Sequence, residues 1–170
     1  MPQELLVRRA RPQDAEAIAR IHNQGIAERT ATFQTANRDS SEIAAKIGRG
    51  RVMLVAERAG RVVGWAALAR YADAHHYYAT VAETTVYVDH DVRRAGVGRS
   101  LLEGLADEGA ARGHHKLVGK LFTSNQPSIA LVKACGWREV GVHRRHGRLD
   151  GEWRDVLVVE LLIGEGLERP

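Results

Sequence analysis

The chain has 170 residues and a net charge of +4 at pH 7, with 44% hydrophobic and 27% charged residues. This length and composition predict a single globular domain over residues 1–170, with its core at about residues 5–162. No apolar run approaches the ~18 residues of a membrane span, and the N-terminus lacks the apolar stretch of a signal peptide, so no membrane partner is expected. The single cysteine, Cys135, excludes an internal disulfide and favours a reducing, cytoplasmic environment.

The positive net charge suits an anionic ligand, either a nucleic acid or a polyphosphate cofactor. The basic residues are scattered along the chain, and no basic stripe is interleaved with aromatic residues. A basic nucleic-acid-binding module is therefore the weaker alternative, and no nucleic-acid partner is predicted.

The first quarter of the chain predicts a strand followed by two helices. Leu5–Arg8 alternates as a short strand, and Pro12 favours a helix start because its fixed φ suits the first helical turn. The helical period is lost over residues 25–35, which predicts a helix end and a loop. Ser40 or Ser41 is positioned to cap a second, short helix.

The rest of the chain predicts six strands and two helices. Residues 52–56 and 62–68 form a hairpin across the turn Ala59-Gly60, and a long strand covers residues 79–88. A helix, a strand at 115–122, a helix at 129–135 and strands at 137–143 and 152–162 follow. This order is an α+β pattern with a mixed central sheet of about seven strands and about four flanking helices.

A turn rich in glycine and arginine, residues 93–98, joins the long strand to the helix after it. Backbone N–H groups and the positive end of the helix dipole converge at such a turn, which suits a phosphate. Gly96 and Gly98 permit close backbone approach to an anion. No lysine follows the glycines as in a Walker A loop, and position 101 is Leu where a dinucleotide fingerprint needs Gly. An ordinary turn with solvated arginines is the alternative.

The spacing Arg93-x-x-Gly96-x-Gly98 resembles the acyl-CoA pyrophosphate loop of the Gcn5-related N-acetyltransferase (GNAT) superfamily, and the element order resembles its fold over nearly the whole chain. Residues 81–88 look like the V-E-x-[ST]-V-Y-V strand of the phosphinothricin N-acetyltransferase branch. Residues 125–128 and 151–156 are similar to the N-x-P-S and G-x-W-x-D-V segments of that branch. Residues 144–150 look closest to relatives that acetylate arsinothricin, an arsenic analogue of phosphinothricin.

The resemblance implies an acetyl-CoA-dependent N-acetyltransferase that modifies the α-amino group of a small amino-acid-like substrate such as phosphinothricin or arsinothricin. It also implies a homodimer and a role in resistance to such compounds. The alternative within this class is another amine: methionine sulfone, methionine sulfoximine or a protein N-terminus.

The resemblance further implies where the cofactor binds. The pantetheine arm bonds to the exposed backbone of the long strand, and the pyrophosphate sits on the amides of residues 94–99. The implied cofactor-binding residues are Val86, Tyr87, Val88, Arg93, Arg94, Ala95, Gly96, Val97, Gly98, Arg99, Ser100 and Asn125.

Glu83 matches the catalytic glutamate of the family, and aminolysis of a thioester needs a base because an amino group is mostly protonated at pH 7. The strand pattern alone allows a solvent-facing glutamate instead. The tyrosine or histidine usual in the helix after the fifth strand is replaced by Leu131 and Val132, so no general acid is assigned. Cys135 ends an apolar helical stripe and is interpreted as a buried side chain, which favours direct transfer in a ternary complex.

A substrate with a tetrahedral oxyanion end needs a forked cation in its pocket. Arg70 and Arg29 are the candidates, and the alternative for each is a solvated loop charge. The predicted substrate-binding residues are Arg29, Thr32, Phe33, Thr35, Arg70 and His75. The histidines show no zinc-type spacing, so no metal site is predicted.

Overall fold

The computed structural model describes residues 4–71 and 75–167. Its strands are β1 (Leu5–Arg9), β2 (Met53–Arg58), β3 (Arg61–Arg70), β4 (Val81–Val88), β5 (Lys116–Phe122), β6 (Arg138–Leu149) and β7 (Glu152–Leu162). Its α-helices are α1 (Ala15–Glu28), α2 (Ser40–Gly48), α3 (Val97–Ala111) and α4 (Gln126–Ala134). The predicted α+β order of strands and helices is confirmed. None of the helices in the described ranges is long and apolar enough to cross a membrane.

The strands form one sheet in the order β1-β2-β3-β4-β5-β7-β6. β4 and β5 run parallel, and every other neighbouring pair runs antiparallel. β7 lies between β5 and β6, so the last hairpin inserts its second strand against the centre of the sheet. The predicted mixed sheet is therefore confirmed, with its one parallel pair in the middle.

β4 and β5 separate part of the way along their length. Their pairing covers Val81, Ala82 and Glu83 of β4 and ends where Glu83 meets Val118. Beyond that point β4 continues to Val88 with β3 as its partner on the other side. Within the described residues, no strand pairs with the second edge of β4 past Glu83. The backbone N–H and C=O groups along this edge of β4 are therefore free to form hydrogen bonds with a ligand bound in the opening.

The helices cover both faces of the sheet. On one face α3 buries Leu101 and Leu105 completely against β2, β3 and β5. On the other face α1 buries Ile18 and Ile21 against Val55 and neighbouring side chains of β2 and β3. Burial of each such side chain contributes roughly 1.5–3 kcal/mol, so the two layers hold the central strands, and the opening between them, in place.

A buried carboxylate fixes the end of β4. Asp89 is fully buried, and its side chain accepts hydrogen bonds from Arg20 of α1 at 2.7 Å and Arg61 of β3 at 3.1 Å. Burial alone would raise the pKa of Asp89, but hydrogen bonds from Arg20, the Asp91 backbone and Gln24 hold it below its usual value. These bonds tie α1, β3 and β4 together where the glycine-rich turn begins.

Two helix boundaries differ from the sequence prediction. α1 continues through Gly25 to Glu28. The glycine makes room for the ring of Tyr87, since a Cβ atom at position 25 would lie 2.5 Å from Tyr87 Cε1. The helix ends at Arg29, whose φ of 59° is left-handed. Asp39, not Ser40 or Ser41, caps α2 by accepting a hydrogen bond from a backbone N–H in the first turn at 2.7 Å.

Candidate active site

A groove of about 1170 Å³ occupies the opening between β4 and β5. Its walls come from the unpaired part of β4, the glycine-rich turn, the start of α4 and the loop after α1. Residues that the sequence predicted for the cofactor and residues that it predicted for the substrate therefore line one continuous groove. The predicted residues in this lining are Thr32, Phe33, Glu83, Val86, Tyr87, Val88, Arg93, Arg94, Gly96, Val97, Gly98, Arg99 and Asn125.

The glycine-rich turn presents the start of α3 to the groove. Arg94 and Gly96 have left-handed φ angles of 63° and 80°, and Gly96 is the N-cap of α3. The first amides of an α-helix have no partner within the helix, so the turn offers N–H donors and the positive end of the helix dipole at one place. A phosphate group fits such a site. Ala95 belongs to this turn and Ser100 to the first turn of α3, but neither lines the groove.

Ion pairs hold Arg93 of this turn and Arg99 at the start of α3. Arg93 bonds both carboxylate oxygens of Glu28 on α1, at 3.0 and 2.8 Å. Arg99 lies 3.8 Å from Glu103, one helical turn further along α3. Because these side chains are partly exposed, their pairs contribute little stability and the guanidinium groups remain accessible to an anion.

Asn125 stands where the chain leaves β5 and enters α4. Its Oδ1 accepts a hydrogen bond from the Ser128 backbone N–H at 3.4 Å, which caps the helix. The same residue lines the groove opposite β4. The cap therefore holds an amide side chain at the position that the sequence predicted for a cofactor contact.

Glu83 is the last residue of β4 that pairs with β5. Its side chain is 30% exposed, and Oε2 accepts a hydrogen bond from Lys120 Nζ at 3.2 Å. Since side chains alternate along a strand, Glu83 shares a face of β4 with Thr85 and Tyr87, which also line the groove. A carboxylate at this position can accept a proton from a group bound between the strands.

Phe33 closes one side of the groove. Its ring meets that of Phe122 edge-to-face, with centroids 4.8 Å apart. A Cβ atom at position 147 would lie 2.7 Å from Phe33 Cζ, so Gly147 in β6 leaves space for the ring. The loop after α1 is thereby packed against β5 and β6.

The structure places Arg70 outside the groove, contrary to the prediction that it binds the substrate. Ala69 lies opposite Glu83 in the pairing of β3 with β4. Because neighbouring side chains point to opposite faces of a sheet, Arg70 lies on the face away from Glu83. It lines a separate, small pocket together with Tyr78 and His114.

Three other predicted substrate residues also lie outside the groove lining. The Nε atom of Arg29 is 3.0 Å from Asp150, so its side chain is turned toward the β6–β7 connection. The His75 ring stacks on that of Tyr77 with centroids 5.0 Å apart. Thr35 follows the groove-lining part of the loop and is exposed. Neither Arg29 nor Arg70 therefore contributes the expected forked cation to the lining of this groove.

Two features of the groove were not predicted from the sequence. Lys120 lies in an alternating strand where no motif marked it, and only the three-dimensional pairing brings it to Glu83. His22 of α1 stacks on Tyr87 with centroids 4.8 Å apart and lies 5.2 Å from Trp65. Its spacing on an apolar helix face was the available signal, because buried histidines usually occupy such positions.

His22 gives the protein a pH-dependent stability. Burial, together with the nearby positive charge of Arg38, lowers the pKa of His22 to about 4. The unfolded chain takes up a proton below its ordinary pKa of 6.5, whereas the folded protein does so only near pH 4. Stability is therefore full above pH 6.5 and is lost as the pH falls toward 4.

We expect the free energy of unfolding to drop by roughly 2–3 kcal/mol between pH 7 and pH 4.5 through this group. His22→Phe keeps a ring in the stack and removes the titration, so its loss over the same interval is expected to be smaller by that amount. Urea unfolding of both proteins at the two pH values measures the difference. Equal losses in the two proteins would contradict this assignment.

The chain is similar over nearly its whole length to known acyltransferases. The chain is 31% identical over 166 residues to L-amino acid N-acyltransferase MnaT of Escherichia coli, covering 95% of this chain and 96% of the relative. It is 31% identical over 165 residues to phosphinothricin N-acetyltransferase of Alcaligenes faecalis, covering 94% and 83%.

Similarity extends to a solved structure and to a family model. The crystal structure of a phosphinothricin acetyltransferase from Sinorhizobium meliloti in complex with acetyl-CoA superposes with a TM-score of 0.87 at 25% identity, covering 98% of this chain and 92% of that one. The model of the acetyltransferase (GNAT) family matches residues 16–137. The protein therefore belongs to the acetyltransferase (GNAT) family and is an acetyltransferase with acetyl-CoA as its acetyl donor.

Proposed function

We propose that the protein transfers an acetyl group from acetyl-CoA to the α-amino group of a small amino-acid-like compound, such as phosphinothricin, arsinothricin or methionine sulfone. One observation carries the proposal: Glu83 stands where β4 and β5 separate, inside a groove that also contains the glycine-rich turn and the loop with Thr32 and Phe33. The similarity to enzymes that act on amino acids and phosphinothricin supports the substrate class.

Glu83 is the proposed general base. Acetyl-CoA supplies a thioester carbonyl that an amine attacks, and the amine must lose a proton to react. The Glu83 carboxylate is partly exposed to the groove and not occupied by a backbone donor among the described residues, so one oxygen is available to an ammonium group. The ion pair between Glu83 and Lys120 is partly exposed to solvent, so breaking it costs little free energy.

Direct transfer in a ternary complex fits the single groove better than an acetylated cysteine. Cys135 follows the last residue of α4 and is not part of the groove lining. Burial raises the pKa of its thiol, which makes the nucleophilic thiolate rarer at neutral pH. Both properties argue against a covalent intermediate on this residue.

The proposal extends to the oligomeric state, location and biological role of the enzyme. We propose a homodimer, supported by exposed apolar residues on the last two strands: Val140, Val142 and Trp153 are each about half exposed. We also propose a cytoplasmic location and a role in resistance to toxic amino-acid analogues, supported by the single unpaired cysteine and by the similarity to phosphinothricin N-acetyltransferase.

Acetyl-CoA binding and substrate choice are tested in two assays on the purified protein. Acetyl-CoA at 100 times its Kd should stabilise the fold by about 2.7 kcal/mol, or roughly 5–10 °C in Tm, while duplex DNA should not. Thiol release from acetyl-CoA should then be fastest with phosphinothricin, arsinothricin or methionine sulfone. A protein that acetylates only an N-terminal peptide or a polyamine in this panel would contradict the proposed substrate class.

A further inference from the structure

Lys120 forms an ion pair with the proposed base at the point where β4 and β5 separate. Its Nζ lies 3.2 Å from Glu83 Oε2, and the two side chains are 44% and 30% exposed. Lys120 follows Val118, the partner of Glu83 in β5, by two residues, so strand alternation turns the lysine and the glutamate to the same face. The lysine therefore stands in the groove beside the carboxylate.

Two ion pairs in the described part of the chain have both members in the groove lining. Glu28 and Arg93 join α1 to the glycine-rich turn, where the cofactor phosphates are expected. Glu83 and Lys120 lie instead on the paired strands, at the proposed site of proton transfer. The second pair is thus separate from the anion-binding turn and needs an explanation of its own.

A negative and a positive side chain held 3.2 Å apart match the charges of an α-amino acid. Such a molecule carries its ammonium and carboxylate groups on one carbon atom, so the two charges lie side by side. An ammonium at Glu83 would bring the adjacent carboxylate to Lys120, and each protein charge would exchange its partner for a group of the substrate. The exchange costs little, because an exposed ion pair in water is only weakly stabilising.

We propose that Lys120 binds the α-carboxylate of the substrate and thereby positions the α-amino group at Glu83. The inference rests on the proposed function, since it requires an amino-acid substrate. It makes Lys120 a specificity-determining residue that distinguishes an α-amino acid from a simple amine. Holding the carboxylate also fixes the amine next to its base, which is the usual benefit of an orienting contact.

The test compares an amino acid with the amine that differs from it only by lacking the α-carboxylate, and two such pairs are suitable. One pair is L-phosphinothricin and (3-aminopropyl)methylphosphinic acid; the other is L-methionine sulfone and 3-(methylsulfonyl)propylamine. The assay uses the pair whose amino acid the wild-type enzyme acetylates faster. Lys120→Met should lower kcat/KM for the amino acid by about tenfold or more, mainly through KM, relative to the amine without the carboxylate. The ratio of the two substrates cancels any effect of the variant on Glu83 itself.

Lys133→Met is the matched control, because Lys133 forms an exposed ion pair with Glu139 at 2.7 Å and does not line the groove. Lys133→Met should leave the kcat/KM of the amino acid relative to that of the amine unchanged. Lys120→Arg should keep most of the wild-type preference for the amino acid. Equal loss on both substrates, or no loss on either, would overturn the role of Lys120. Lys120→Gln replaces the Met variant if the latter has a lowered Tm. A wild-type enzyme that acetylates none of the amino acids refutes the proposed function before any variant is made, and the inference with it.

Discussion

Glu83→Gln is expected to lower kcat on the order of 10²- to 10⁴-fold at neutral pH and to leave acetyl-CoA affinity nearly unchanged. The amide keeps the size of the side chain and can still accept a hydrogen bond from Lys120, but it cannot take a proton from the substrate. The residue lies at the end of the β4–β5 pairing, so the loss is expected in turnover and not in folding. Thiol-release kinetics and calorimetry with acetyl-CoA measure the two quantities.

The pH dependence of this variant adds a second readout. As the pH approaches the pKa of the substrate amine, a growing share of the amine is already neutral and needs no base. The defect of Glu83→Gln should therefore shrink with rising pH. Glu139→Gln is the matched control, because it removes a carboxylate from an exposed ion pair with Lys133. Activity of Glu83→Gln within about threefold of the wild type would exclude the base role.

The parts of the fold that depend on short-range patterns could be predicted from the sequence. The long strand predicted over residues 79–88, the hairpin turn at Ala59-Gly60 and the arginine-glycine turn each depend on a few neighbouring residues. Ala59 and Gly60 both have positive φ, as a tight hairpin turn requires. Local periodicity and turn chemistry specify such elements, whatever the rest of the chain does.

The parts that depend on tertiary packing were predicted less well. The loss of the helical period at Gly25 predicts the end of α1, but the glycine instead makes room for the ring of Tyr87, 62 positions later. The sequence favours Arg70 as a substrate contact, but its register against β4 puts its side chain on the face of the sheet away from Glu83. A shift of one residue reverses the face of a strand side chain, so a prediction from the sequence alone cannot decide it.

The contact between Glu83 and Lys120 also depends on tertiary structure and could not be predicted from local patterns. The two residues are 37 positions apart and meet only because β4 and β5 are parallel neighbours whose pairing ends at Glu83. The element order predicted that these strands would lie in one sheet, but not where they would separate. Glu83 could be proposed as the base from a family resemblance, whereas its contact with Lys120 required the structure.

Gly96→Val is expected to weaken acetyl-CoA binding by about tenfold or more. Gly96 has a φ of 80°, which costs an L-residue about 1–2 kcal/mol, and more for a β-branched one. A Cβ atom there would meet nothing within 4 Å, so the substitution acts through the backbone and not through a clash. The turn relaxes toward negative φ, and its amides no longer converge on the cofactor phosphate.

Gly113 provides the control for that prediction, because it has a φ of 82°, open space around its Cβ position and no part in the groove lining. Gly96→Val and Gly113→Val should lose similar amounts of stability in urea unfolding, since both force valine into the left-handed region. Only Gly96→Val should lose affinity for acetyl-CoA in calorimetry. Gly98→Val acts differently, since its Cβ would lie 2.7 Å from Leu131 Cδ2 and the Leu131 side chain would have to shift. A folded Gly96→Val protein with wild-type affinity would mean that the phosphates do not bind to this turn.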